Sequence, residues 1–67
     1  MNILTARLIL RRETVEVPAG QSVEDALRSL GLHPETYLAL RDGALIPLDT
    51  ILRAGDEVRL IPTISGG

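Results

Sequence analysis

Pro18-Ala19-Gly20-Gln21-Ser22-Val23-Glu24-Asp25-Ala26-Leu27-Arg28-Ser29-Leu30-Gly31 is the one stretch of this chain that reads as a helix, and its place between two groups of strands decides the fold. Pro18-Ala19-Gly20 breaks whatever precedes it. Ser22 offers an N-cap hydroxyl, with Asp25 three residues on in the manner of a capping box, although Asp is a weaker member than Glu. Glu24 and Asp25 suit the positive end of the helix dipole. Val23, Ala26, Leu27 and Leu30 fall at i, i+3, i+4 and i+7, a single apolar stripe. Gly31 supplies the left-handed position that stops the helix. So short a helix is marginal alone and must lay its stripe on a sheet.

Upstream, Leu4 to Arg12 alternates with period two, with Leu4, Ala6, Leu8 and Leu10 on one side and Thr5, Arg7 and Arg11 on the other. Ile9 is the exception on the polar side. Glu13 to Val17 alternates again, with Val15 and Val17 inward, so a tight turn near Arg12-Glu13 makes a hairpin, though no Asn-Gly pair fixes its type. Downstream, Tyr37 to Arg41 reads as a strand with Leu38 and Leu40 inward. Asp42-Gly43 is the best turn signal in the chain. Ala44 to Leu48 is a short strand that Pro47 confines to an edge or an end. Ile51 and Leu52 read as anchors in a connecting loop. Arg53-Ala54-Gly55-Asp56 turns into a last strand, Glu57 to Ile61, with Val58 and Leu60 inward, and Pro62 closes it.

Hairpin, helix and further strands are the plan of an α+β β-grasp: a mixed four- to five-stranded sheet with one crossing helix. In that plan the first and last strands lie parallel at the sheet centre. A ferredoxin-like fold needs a second helix, and none is written here. The expected division is a β-grasp domain over 1–62 and a flexible tail over 63–67 ending in Gly-Gly.

Composition narrows the function. A chain of 67 residues makes one core, and 45% hydrophobic residues, nearly all aliphatic, must hold it without a disulfide, because there is no cysteine. Cysteine-ligated metal and thiolate chemistry are excluded for the same reason. The net charge of -2 and the single aromatic, Tyr37, argue against nucleic-acid binding. No secretory signal or membrane-spanning run is written, so a cytoplasmic protein that is monomeric when free is expected. All 7 basic residues are arginine. Missing lysine has two readings, a GC-rich or heat-adapted genome, or a surface on which no side-chain amine can be acylated by an activated carboxyl group of a sister molecule.

A search for an active site finds little. His33, the only histidine, precedes Pro34 in a loop and has no cysteine, second histidine or acidic triad beside it. Ser22, Ser29 and Ser65 lack a nucleophile-elbow context. The acids read as cap and turn residues, with no spacing for acid–base work or for a cation, and no glycine-rich phosphate loop is present. No metal, no bound cofactor and no catalytic residue of the chain's own are therefore expected.

What remains is Gly66-Gly67. One reading is a frayed chain end. The other is a backbone that enters a channel too narrow for a Cβ and places a carboxylate in a partner's catalytic centre. A carboxylate with a pKa of about 3.5 is ionised and a poor acyl donor. It must first become a mixed anhydride, typically with AMP, from which a sulfur nucleophile could displace AMP and leave a thiocarboxylate.

The runs Pro18 to Leu27, Leu38-Ala39-Leu40-Arg41-Asp42-Gly43, Ile46-Pro47, Ala54-Gly55-Asp56-Glu57-Val58 and Ile64-Ser65-Gly66-Gly67 together resemble the ThiS/MoaD family of sulfur carriers, in order and over nearly the whole chain. The resemblance implies a ubiquitin-like β-grasp whose Gly67 is adenylated by an E1-like enzyme that consumes ATP, then thiocarboxylated with sulfur from a cysteine desulfurase or sulfurtransferase. Gly66 would give clearance, and Ser65 and Ile64 would be read as extended backbone in the partner's groove. The acceptors implied are a thiazole synthase, the large subunit of molybdopterin synthase or a tRNA thiolase, and some family members attach to protein lysines. The short length and Ala-Gly-Gln-Ser-Val resemble thiamine-type carriers, whereas Ile-Ser-Gly-Gly resembles molybdopterin-type, tRNA-thiolating and conjugating ones. Arg41-Asp42-Gly43 departs from the family's common Asn-Gly turn. The acceptor therefore stays open.

Such a carrier needs a docking face. If Leu8, Leu10, Val58 and Leu60 face the helix, then Arg7, Ile9, Arg11, Arg59 and Ile61 share the opposite face, and Ala39 is expected to join them. An aliphatic centre ringed by arginines suits a protein interface. The competing functions are a protein modifier joined to lysines and a non-covalent β-grasp binding module.

Overall fold

The computed structural model describes residues 4–63. Strand β1 (Thr5–Ile9) and strand β2 (Thr14–Pro18) form the antiparallel hairpin, in register Leu8 with Val15 and Ala6 with Val17. The Leu10 N–H donates to the Glu13 carbonyl at 2.7 Å and closes the turn over Arg11-Arg12. Neither arginine adopts positive φ, as a primed turn would require. Leu4 lies outside β1 and is 63% exposed, contrary to the inward place its alternation predicts. The strand begins one residue later, so Leu4 has no core to face.

Helix α1 (Val23–Ser29) is capped as its sequence requires. The Asp25 N–H donates to Ser22 Oγ at 3.1 Å, while the Asp25 carboxylate pairs with Arg28 and leaves the reciprocal half of the box unmade. At the other end Gly31, at φ 81°, closes a Schellman motif: Leu32 N–H donates to Leu27 O and Gly31 N–H to Arg28 O. Val23, Ala26 and Leu27 are buried, whereas Leu30 at the helix end is 38% exposed. The first turn's orphan donors are also satisfied. Val23 N–H and Glu24 N–H donate to the carbonyls of Thr50 and Leu48, and Gly20 and Gln21 exchange backbone bonds with Leu52. This pairing with the 48–52 segment drives Leu52 into the core and leaves Ile51 53% exposed. Of the two expected anchors only Leu52 serves.

A 3-10 turn over Pro34–Thr36 leads into β3 (Tyr37–Arg41), which pairs with β4 (Ala44–Ile46) around Asp42-Gly43. Asp42 at φ 55° and Gly43 at φ 80° give the two positive angles of a type I′ turn. Strand β4 is an edge and ends before Pro47. Asp56 Oδ2 then accepts from Arg53 N–H at 2.9 Å and from Arg41 Nη1 at 3.1 Å, fixing the turn into β5 (Glu57–Pro62).

The five strands lie in the order β2-β1-β5-β3-β4, with β1 and β5 parallel at the centre. This is the ubiquitin-like β-grasp, a mixed sheet crossed by one helix. Ala6, Leu8, Val17, Val23, Ala26, Leu27, Ala39, Leu52, Val58 and Leu60 make its core.

The orientation of β3 corrects the sequence reading. Ala39, not Leu38 or Leu40, faces the core: Ala39 is 1% exposed and Leu38 46%. The register gives the reason. Ala39 lies opposite Leu60, which is buried, and directly paired residues project from the same face. Tyr37 and Arg41 share Ala39's parity: Tyr37 packs against the core, and Arg41 reaches Asp56. Two leucines flanking an alanine read as the buried pair, but the pairing with β5 decides otherwise.

Candidate functional site

The face of the sheet away from the helix is built by register. Across its middle run Thr14, Ile9, Arg59, Leu40 and Leu45, each opposite the next. Leu38 lies opposite Ile61 on one side of that row, and Arg7 lies opposite Glu57 and Glu16 on the other. Ile9 and Leu40 thus flank Arg59, and Ile61, Leu38 and Leu45 complete five aliphatic side chains on the same face. Leu45, Leu38 and Ile61 are exposed, and Ile9 and Leu40 are half-buried. Arg11 extends the face from the hairpin turn, lining one hollow with Ile9, Arg59 and Ile61.

Charge is unevenly spread over this face. Arg7 is compensated by Glu57 at 3.4 Å and Glu16 at 3.9 Å, exposed pairs worth under about 1 kcal/mol each. Arg11 and Arg59 make no ion pair among the described residues. The Ile61 end of the face is therefore the positive end.

Strand β5 links this face to the chain terminus. Its pairing with β1 ends at Arg59 opposite Ile9, but its pairing with β3 continues to Pro62 opposite Tyr37. Thr63 N–H then donates to Thr36 O at 2.8 Å, so the root of the tail is fixed beside Leu38 and Ile61. Ile64, Ser65, Gly66 and Gly67 lie outside the described residues.

A model of the ThiS family matches residues 4–67, the whole of this sheet, its helix and the glycine pair. The chain belongs to the ThiS family. A curated relative, the sulfur carrier protein TtuB of Thermus thermophilus, is 38% identical over 64 residues, covering 91% of this chain and 98% of that protein. An uncharacterized protein of Archaeoglobus fulgidus is 39% identical over 57 residues, covering 84% of each. Among solved structures the crystal structure of SAMP1 from Haloferax volcanii superposes with a TM-score of 0.63 at 28% identity, covering 94% of this chain and 99% of that one.

In this ThiS-family chain the structure brings Arg7, Ile9, Arg11, Arg59 and Ile61 to one surface, as expected from the sequence. Ala39 does not belong there. It is a core residue, and Leu38 and Leu40 occupy the face in its stead. Sequence reasoning missed those two and Leu45. The signal available was parity: pairing β3 against Leu60 from either side would have set Tyr37, Ala39 and Arg41 inward. His33 precedes the 3-10 turn as an exposed loop residue, its carbonyl accepting from Thr36 N–H and Oγ1. Among the described residues no helix is long and apolar enough to cross a membrane.

Proposed function

We propose that the chain is a sulfur carrier and protein co-substrate whose working atom is the terminal carbonyl carbon of Gly67. The observation that carries this reading is the family match running through Gly66-Gly67, together with the relative named a sulfur carrier protein. A carboxylate oxygen of Gly67 attacks the α-phosphorus of ATP in an E1-like partner, and pyrophosphate leaves. The persulfide of a desulfurase or sulfurtransferase relay then attacks the acyl adenylate, the C–O bond to AMP breaks and AMP leaves. A thiol cleaves the S–S bond of the resulting acyl disulfide, taking the relay's sulfur into a disulfide and leaving a thiocarboxylate on Gly67. Gly66, Ser65 and Ile64 act as the extended segment that the partner encloses. From Thr63 the four residues to Gly67 span at most about 14 Å. A partner whose catalytic centre takes Gly67 must therefore stand close to the Ile61 end of the sheet face. That face, with Ile9, Leu38, Leu40, Leu45 and Ile61 about Arg59, is the docking surface of this reading.

The test is intact mass. Incubated with the adenylating enzyme, ATP and a sulfur donor, the protein should gain the difference between sulfur and oxygen, located at Gly67 by fragmentation. A mass that stays that of the plain carboxylate, while the enzyme activates its own carrier, sinks the proposal. The acceptor follows from which partner, a thiazole synthase, a molybdopterin synthase large subunit or a tRNA thiolase, then consumes the sulfur.

A second reading uses the same activated carbonyl: conjugation to lysines of other proteins. The complete absence of lysine from the chain favours it. Covalent conjugates in a lysate of the source cells would establish it beside sulfur transfer.

A further inference from the structure

The chain has 7 basic residues, every one arginine. Structure explains that choice at few of them. Arg41 is half-buried against Asp56, and Arg7 divides two nitrogens between Glu16 and Glu57. Arg28 makes one exposed contact with Asp25 at 3.3 Å, which an ammonium group would make as well. Arg11, Arg12, Arg53 and Arg59 are exposed and make no side-chain hydrogen bond or ion pair among the described residues. At these five positions no observed contact uses the guanidinium fork. Lysine would serve the fold equally.

Their chemistry differs in one respect that matters to an acyl donor. A lysine amine with a pKa near 10.4 is unprotonated in roughly one molecule in a thousand near neutral pH, while a guanidinium above about 12 is not a usable nucleophile. An amine that meets an acyl adenylate attacks the carbonyl carbon. A C–N bond forms, the C–O bond to AMP breaks, AMP leaves with the electron pair, and the amine proton goes to solvent. The carrier is then lost as an amide. The exposure is greatest around the root of the tail, where Arg12 shares a groove with Pro62, and Arg11 and Arg59 share a hollow with Ile61. Groups held near a reacting carbonyl gain large effective concentrations.

We infer that the all-arginine surface offers the activated terminus no side-chain amine, so that sister molecules cannot be joined through their side chains. As a modifier the protein would be added in single copies and not extended through its own side chains. This rests on activation of Gly67 as proposed above, and the experiment separates the two.

The triple variant Arg12→Lys, Arg28→Lys, Arg53→Lys keeps every charge and alters no residue of the docking face. Wild type and variant are incubated with the adenylating enzyme and ATP, activation is followed by pyrophosphate exchange, and products are read by intact mass. The expected result is equal exchange by both, no side-chain-linked product from wild type, and from the variant a new species of twice the monomer mass less one water. Peptide mapping should place its bond between Gly67 and the lysine introduced at position 12, 28 or 53. A variant that exchanges pyrophosphate like wild type yet forms no amide, neither a dimer nor a monomer lighter by one water, overturns the inference and leaves the carrier reading standing. Covalent dimers of wild type that peptide mapping places on a side chain would overturn it too. Failure of wild type to exchange at all defeats the carrier reading, and this inference with it.

Discussion

Gly31 and Ser22 show how single residues bound the helix. Ser22 is 7% exposed and its hydroxyl is the acceptor for the Asp25 N–H, so Ser22→Ala should lower stability by about 1 kcal/mol in a urea titration. Gly31 sits at φ 81° with open space where a Cβ would stand. Gly31→Ala therefore meets a backbone cost alone, about 1–2 kcal/mol, again readable in the unfolding midpoint. Gly67 is the opposite case. Deleting it should leave the melting curve unchanged and abolish pyrophosphate exchange, and a variant that still exchanges would place the activated carbonyl elsewhere. Most of these roles are legible in the chain, because caps, left-handed positions and glycine pairs are local. Ile51 and Leu52 were not distinguishable, since only the backbone pairing of Leu52 with Gly20 and Gln21 selects between neighbours of equal hydrophobicity.

Strand β3 is the element on which structure and sequence part. Its alternation is plain, but alternation states only that two faces differ, and not which one is buried. Leucine outweighs alanine in hydrophobicity, so Leu38 and Leu40 read as the inner pair; the register with Leu60 puts Ala39 there. Ala39→Leu should then overpack the core and cost about 1–3 kcal/mol, measured by chemical denaturation. Leu38→Ser, at an exposed site, should change stability by no more than about 0.5 kcal/mol. Equal effects of the two would contradict the orientation. Strands β1 and β5 behaved otherwise. Val58, Leu60, Ala6 and Leu8 stand inward as their alternation predicts, because in both the larger aliphatic set is also the buried one.

For the whole molecule, the margin is small and the working surface is large. A domain of this size holds roughly 3–10 kcal/mol of net stability. Leu27 is fully buried, so Leu27→Ala, at about 2–5 kcal/mol, should leave a chain that is wholly or partly unfolded, visible as lost amide dispersion in an NMR spectrum. Face substitutions should act differently. Ile9→Asp or Ile61→Asp should keep a native melting curve and weaken activation by the adenylating enzyme, seen as a raised KM for the carrier. Unchanged activation in both would remove the sheet face from the proposal.

By itself the sequence determined what is set by neighbours along the chain: the hairpin, the capped helix, the Asp-Gly turn, the edge strand stopped by proline, and the glycine pair at the end. Their order was enough to predict the β-grasp and the parallel pairing of β1 with β5. Which side of β3 is buried, which of Ile51 and Leu52 is the anchor, and therefore which leucines share a surface with Ile61, were decided only in three dimensions. Strand register and helix-to-loop pairing are contacts between residues far apart in sequence, and a side chain's face is inherited from the partner opposite it.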